Sequence, residues 1–293
     1  MTVAVPIAAR RTAPPRLARL GAGPAVRWAF ALLWFVVTVL PVWRMFNVVF
    51  TAGGVPVATN PRLYPSSIPA GVANVGFILA ETPMLHSFLV SFTYASFQIL
   101  GMLVVVPMAA YEFALFKFPG RNALFLIALS ALMVPGAVTL IPLYKIVAAL
   151  GWVNTLQGLA VPWMASPFAL FVFKQFMESL PRELLDAAEI DGASHFETYR
   201  VIALPLSTNA AVTLSVLTFM FSWGNFIWPL VISNKPDWYT VSITVSQFFA
   251  PSSHATIEVV MSAAFLAAMP PIVFYAFLQR YIIQGIALTG LKT

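Results

Sequence analysis

Six long apolar runs follow one another along the chain, near residues 26–46, 86–111, 123–147, 155–176, 206–232 and 257–279. Each is close to the twenty or so residues that a helix needs to cross about 30 Å of hydrocarbon. Polar residues gather between the runs and are sparse inside them. This pattern predicts an all-α integral membrane protein of six transmembrane helices. The first run follows Arg10, Arg11, Arg16, Arg19 and Arg27, as the apolar part of a signal peptide follows its charged region. No A-x-A site comes after it, and "VLPVWRMF" continues into a loop, so it reads as a retained first helix. The Arg10–Arg11 pair lacks the other features of a twin-arginine signal and reads as a topogenic anchor.

Composition narrows the picture. With 60% hydrophobic and 9% charged residues, the 293-residue chain is too apolar for an ordinary water-soluble domain. It contains no cysteine, which excludes disulfides and thiol-based metal or redox sites. The net charge of +6 is not gathered into a stripe with interleaved aromatics, so nucleic acid is not an expected partner. Basic residues instead flank the apolar runs. Six crossings place twelve Lys and Arg on the side of both termini and four on the other (Arg44, Arg62, Lys145 and Lys235). The preference of basic residues for the cytoplasmic side then puts both termini in the cytoplasm.

Ionisable residues avoid the middle of the runs; Glu112, Lys145, Lys174 and Glu258 all sit near ends. An ion-coupled carrier usually keeps such a group near the midplane, so no internal ion-driven engine is expected. His86, His195 and His254 lie in separate segments without ligand spacing, and no Ser-His-Asp set or paired acids suggest an enzyme. No G-x-x-x-x-G-K-[ST] occurs either. Energy for uphill movement would have to arrive through a partner. Pro107, Pro135–Gly136, Pro162, Pro167 and Pro270–Pro271 free carbonyls and offer bends, although proline is common in membrane helices in any case. Tyr94, Gln98, Trp223 and Asn225 put polar groups at membrane depth, where helix–helix hydrogen bonding and a solute pathway explain them equally well.

One stretch departs from this economy of charge. "ELLDAAEIDGASHFETYRVIALPL", residues 183–206, holds five of the ten acidic residues and falls on the cytoplasmic side. It predicts two short helices. Pro181 and Glu183 suit the first turn of one, which Gly192 ends in the left-handed conformation. Ser194 and Glu197 form a capping-box pattern for the other, with Phe196, Tyr199 and Ile202 on one face and Leu204–Pro205 as its stop. Small residues at 187 and 188 admit a close backbone, and acids surround them, which describes a docking knob. A loop lying on headgroups would more naturally be basic.

These residues resemble the EAA loop in the membrane subunits of bacterial ATP-binding-cassette importers. Asp186, Ala187, Ala188 and Gly192 match its start, residues 193–201 its spacer, and Ile202, Leu204 and Pro205 its close. Similarity continues over about the last 180 residues. "NTLQGLAVPWMASPFALFVFKQFMESLPRELLDAAEIDGAS", "FSWGNFIWPLVIS" and "FLQRYIIQGIALTGLKT" resemble the carbohydrate-uptake branch, in its smaller, maltose-type permease subunit. Asp186 stands where that family usually has Glu, Glu189 where a basic residue is frequent, and the tail reads "GLKT" where "GAVKG" is usual.

The resemblance implies the type I importer permease fold. A basic cytoplasmic segment (1–27) precedes a six-helix domain (28–282), which carries the coupling loop at about 178–205, and a cytoplasmic tail (283–293) follows. It implies a bacterial inner-membrane location and no catalysis in this chain. ATP and magnesium are used by a cytoplasmic ATPase dimer docked on Glu183, Asp186, Ala187, Ala188, Gly192, Ile202, Leu204 and Pro205. Its other implied partners are a second, different permease subunit, surrounding lipid and an external solute-binding protein. For that last contact, Trp238, Tyr239 and Phe248 in the loop 233–256 are the candidates, with an ordinary linker as the alternative. The solute implied is a sugar or oligosaccharide. Glycerol phosphate, polyamine, or a non-transporting scaffold that recruits a cytoplasmic protein remain alternatives at this point.

Overall fold

The computed structural model describes residues 23–51, 64–250, 253 and 255–290, with side chains to 279. Arg10, Arg11, Arg16, Arg19, Arg62, His254, Lys292 and the side chain of Arg280 lie outside the described residues, as do the first 22 residues of the basic segment. The described residues are helical, with no strand among them. The chain divides between Trp43 and Arg44 into two units.

Helix α1 (Pro24–Val49) is apolar on all sides through Trp43, with Trp28, Phe30, Leu32, Leu33 and Trp34 exposed. Such a surface suits hydrocarbon rather than water. Its last residues belong to the second unit, where the Val49 and Phe50 carbonyls accept from α2 (Ile68–Glu81) and from Ser67 just before it: Asn74 Nδ2 reaches Val49 O at 2.8 Å, and Ser67 N reaches Phe50 O at 2.9 Å. The hydropathy pattern does not predict α2. Its 14 residues are too few to register as a crossing, and its start depends on a local cap, Ser67 Oγ accepting from Ala70 N at 3.2 Å.

Helix α3 (Met84–Leu115) is the axis of the second unit. Its 32 residues extend about 48 Å, longer than the hydrocarbon is thick. Helices α6 (Leu156–Ala160), α7 (Pro167–Glu178), α11 (Thr208–Gly224) and α13 (Val241–Phe248) pack on it, and α14 (Ile257–Gly290) packs on α11 and α2. At one end of α3 the core contains Tyr111, Ala114, Phe173, Met177 and Tyr199. Toward the other end it contains Met84, Ala95, Trp223, Val241 and Ala263, with a neighbouring cluster of Tyr94, Leu159, Trp228 and Ile232.

Among the described residues, three helices are long and apolar enough to cross a membrane by themselves: α1, α3 and α14 as far as Gln279. The other apolar runs are bent pairs, and the number of crossings reaches six if each pair is one span. The run at 123–147 divides into α4 (Arg121–Ser130), extended by a 3-10 turn to Met133, and α5 (Gly136–Ala149), which meet at 105°. Pro135 cannot continue the first helix and holds Val134 extended (ψ 118°), so the run folds back on itself. In the run at 155–176 the bend is 47°, beside Pro162 and Pro167. The run at 206–232 also departs from a single helix: α11 ends at Gly224 and a short α12 (Ile227–Ile232) follows, with Asn225 extended between them (ψ 123°).

Close approach at α6 depends on Gly158, because a methyl there would overlap the Trp152 carbonyl oxygen and crowd Ile232. We expect Gly158→Ala to destabilise the chain by about 1–3 kcal/mol, as overpacking does. Gly136→Ala, which opens into free space, should be close to neutral. Thermal unfolding of the two variants in lipid nanodiscs checks the contrast.

Candidate functional site

The acid-rich stretch forms an elbow at the end of α3 that carries Tyr111. Helix α8 (Arg182–Ile190) starts directly after Pro181, which precedes the first turn instead of occupying it. Gly192 has φ +80° and closes α8 in a Schellman motif: Ala193 N donates to Ala188 O at 2.9 Å and Gly192 N to Glu189 O at 3.1 Å. Ser194 then caps α9 (His195–Thr198), its Oγ accepting from Glu197 N at 3.2 Å. The expected turn and cap both form, because each depends only on residues within one turn of itself.

Leu204–Pro205 does not stop the second helix. The chain widens into a π-helical turn over Tyr199–Ala203 and passes through α10 (Leu204–Leu206), breaking two residues after Pro205, at Ser207. Leu204 N donates to Tyr199 O in the i→i+5 pattern of that turn, and the wider turn carries the helix past Pro205, which has no N–H to donate. Ser207 is buried, and its N and Oγ both donate to Ala203 O, at 3.1 and 2.7 Å. From this break α11 leaves at 71° to the elbow segment.

An aromatic clasp that the hydropathy pattern does not reveal mounts the elbow on α3. Tyr111 lies 5.3 Å from the Tyr199 ring and 5.4 Å from Phe116, and Phe116 meets His195 edge-on at 4.7 Å. Tyr111 Oη also donates to His195 O at 3.2 Å. A hollow of about 380 Å³ lies beside the clasp, lined by Met108, Glu112, Phe196 and their neighbours. A second fastening precedes α8: Glu178 receives Lys174 Nζ at 2.6 Å and Arg121 Nη2 at 3.4 Å, and the Lys174 ammonium stands 4.7 Å over the Phe125 ring. Lys174 and Glu178 were legible as an i,i+4 pair; the clasp spans 84 residues of sequence and was not.

The elbow's outer surface is unfilled. Glu183, Asp186, Ala187 and Glu189 are exposed, Ile190 is 86% exposed, and Phe196 and Val201 are also open. Ala188 turns inward, and Ile202 and Leu204 are half-buried against the body, while Pro205 is exposed. The arrangement presents carboxylates and apolar side chains together on a mount tied to the 32-residue α3. Among the described residues no group of three or more His, Asp or Glu side chains is arranged to hold a metal.

The other expected residues divide by environment. Tyr94, Gln98 and Trp223 are buried within the protein. Gln98 Oε1 accepts from Ser222 Oγ at 2.8 Å, joining α3 to α11, and Trp223 Nε1 donates to Ala267 O of α14 at 2.9 Å. The Tyr94 hydroxyl lies beside the Asn225 amide without closing a hydrogen bond of good geometry. Asn225 is half-buried, and its Oδ1 accepts from Trp228 N at 3.4 Å. At the far end of α3 the loop after α12 is firmly tied: His86 Nε2 and Asp237 O lie 2.9 Å apart, Ser91 Oγ accepts from Val241 N at 2.9 Å, and Asn154 Oδ1 accepts from Asn234 N at 2.6 Å. Trp238, Tyr239 and Phe248 are half-buried there, and Phe248 lines a cavity of about 720 Å³ with Phe77, Gln247 and Thr244.

Residues 101–288, more than half of the chain, match the family described as binding-protein-dependent transport system inner membrane component. The sn-glycerol-3-phosphate transport system permease protein UgpE of Rhizobium meliloti (strain 1021) is 31% identical over 268 residues, 88% of this chain and 94% of that protein. The arabinooligosaccharides transport system permease protein AraQ of Bacillus subtilis (strain 168) is 34% identical over 185 residues, 63% of this chain and 66% of that one. A chain from the crystal structure of a bacterial ABC transporter involved in the import of the acidic polysaccharide alginate superposes with a TM-score of 0.78 at 19% identity, covering 88% of this chain and 95% of its own.

The clasp and the left-handed turn can be weakened separately. Tyr111→Phe should lower protection of the α8–α9 amides by about 0.5–1.5 kcal/mol, the worth of its bond to His195 O. Gly192→Val should cost about 1–2 kcal/mol through the left-handed backbone, and Gly192→Asn less. Hydrogen exchange across residues 182–200 measures all three.

Proposed function

Since the chain belongs to the family of inner-membrane components of binding-protein-dependent transport systems, as a membrane permease subunit and not an enzyme, we propose that its elbow is the seat of a separate ATPase subunit and that the solute is an uncharged sugar or oligosaccharide. The observation that carries the docking role is the mount itself: an exposed acidic and apolar helix, closed at Gly192 and clasped to α3 through Tyr111, Phe116, His195 and Tyr199. A load applied to α8 reaches α3 through packed rings and reaches α11 through the helical segment after Tyr199 and the bend at Ser207. Glu183, Asp186, Ala187, Ala188, Gly192, Ile202, Leu204 and Pro205 form or support this seat. ATP and its magnesium ion bind the partner, whose closure pulls the elbow and turns the bundle.

The same frame supports a sidedness for the elbow. His86 and Tyr111, which anchor the far loop and the elbow, are 25 residues apart on one helix, about 37 Å. That spacing exceeds the hydrocarbon thickness, which supports a reading with the elbow and the loop in opposite compartments. The basic-residue count assigns the elbow to the cytoplasm, together with both termini. Trp238, Tyr239 and Phe248 then face the side from which an external binding protein delivers solute, and a second permease subunit completes the pathway.

The choice of an uncharged solute rests on charge. The relatives transport sn-glycerol-3-phosphate or arabinooligosaccharides by their names. A phosphate dianion crossing the bilayer needs compensating cations along its way. Among the described side chains α3, α11 and α14 as far as Gln279 contain no Lys or Arg, and they and the adjoining Asn225 offer hydroxyl, amide and aromatic groups. These suit a polyol.

Replacing exposed Ala187 or Ile190 by Asp should abolish co-purification of the ATPase subunit and uptake of the solute, while membrane insertion is unchanged. Because the chain has no cysteine, a single Ile190→Cys should also form a disulfide-length cross-link to a cysteine on that subunit. An ATPase retained at wild-type level by both aspartate variants overturns the docking role.

A further inference from the structure

Two prolines in separate segments each withhold a backbone donor, and two tryptophans from one short stretch supply the missing N–H. In a continuous α-helix the residue at 271 would donate to the Ala267 carbonyl. Pro271 has no N–H to give. Trp223 Nε1, from the end of α11, donates to that carbonyl at 2.9 Å. Likewise Pro162 withholds the donor that Gly158 O takes in an α-helix and Leu159 O takes in a 3-10 turn. Trp228 Nε1, from α12, bridges both, at 3.1 and 3.2 Å.

Both indoles are held in place by more than these bonds. Trp223 is 5% exposed and packs among Phe88, Phe92 and Phe219, with Phe219 stacked in turn on Phe274 of α14 at 4.2 Å. Ser242 Oγ of α13 donates to the Trp223 carbonyl at 3.0 Å. Trp228 is 2% exposed and meets Trp163 edge-on at 6.0 Å. Gly158, whose lack of a side chain lets its backbone come near Trp152 and Ile232, lies within the reach of the second indole.

We propose that Trp223 and Trp228 are positioning residues for transport: one elbow, Trp223–Trp228, acts as a yoke whose two indole N–H donors hold two proline joints in register with each other. In lipid a carbonyl without a donor is costly, so each joint is stiff while its indole is in place and loose without it. Helix α11 runs from the break at Ser207, beside the docking elbow, to this yoke. A displacement of α11 therefore moves both joints together. That last linkage rests on the docking role proposed above, whereas the yoke does not, and the test below needs no ATPase.

The test is a pair of double-mutant cycles on the full chain in nanodiscs of phosphatidylethanolamine and phosphatidylglycerol. Trp223→Phe keeps a ring and removes the N–H; it should lower the unfolding midpoint by about 2–5 °C. Adding Pro271→Ala restores a backbone donor to Ala267 O and should recover most of the loss. Pro162→Ala should not recover it. The reverse holds for Trp228→Phe, which Pro162→Ala should rescue and Pro271→Ala should not. Spin labels on cysteines at the exposed positions Ile257 and Phe277 report the α14 joint directly. Their distance distribution, centred near about 30 Å, should broaden in Trp223→Phe and narrow again with Pro271→Ala. Replacing the indole by a benzothiophene of the same shape separates the N–H from the ring's packing. If the benzothiophene leaves midpoint and distribution unchanged, or if either proline substitution rescues either tryptophan variant equally, the yoke is refuted.

Discussion

A bilayer offers no water to a carbonyl that has lost its partner, and this constraint governs how the molecule bends. Prolines interrupt the apolar runs, and every interruption leaves an acceptor that some other group must satisfy or that must go without. At Pro271 and Pro162 the donors are indoles from a third segment. These two proline sites, one inside the continuous α14 and one at a bend, are therefore not soft points scattered along independent helices. Through Trp223 and Trp228 they share a single fastening, and the rigid α3 passes beside it.

The opposite end of α3 obeys a different logic. There α8 leaves its acids exposed, and the fastenings are aromatic faces and an ion-pair cluster at Glu178 rather than buried donors. The π-turn over Tyr199–Ala203 carries the chain past Pro205 without ending the helix, so elbow and α11 remain one piece of backbone up to Ser207. Serine at that break satisfies its own surroundings by returning its hydroxyl to Ala203 O. The elbow is thus stiff where it joins the bundle and open where a partner would sit.

Charge is distributed to match. The cations near the described helix ends are engaged or exposed, and the long helices through the middle carry polar but uncharged side chains. Gln98 and Trp223 spend their hydrogen-bonding capacity on α11 and α14, which leaves the half-buried Asn225, next to Tyr94, as the more accessible polar group of the four expected at membrane depth.

Much of this was legible along the chain where the physics is local. Apolar run length marked the membrane helices, Gly192 and Ser194 marked the end of α8 and the start of α9, and Pro135 and Pro162 marked breaks, whereas Pro107 and Pro270–Pro271 lie inside continuous helices. Helix α2 escaped notice because 14 residues fall below the length of a span, and Pro205 was misread because a π-turn upstream absorbs it. What the linear order could not contain was the angle at each break and the identity of each donor. The 105° fold at Val134–Pro135 and the 47° bend beside Pro162 depend on what packs against them. Trp223 lies 44 residues from Ala267, Trp228 lies 70 from Gly158, and Tyr111 lies 84 from His195. Proline sets where a helix loses its own hydrogen bond; only a neighbour brought close by packing decides what replaces it.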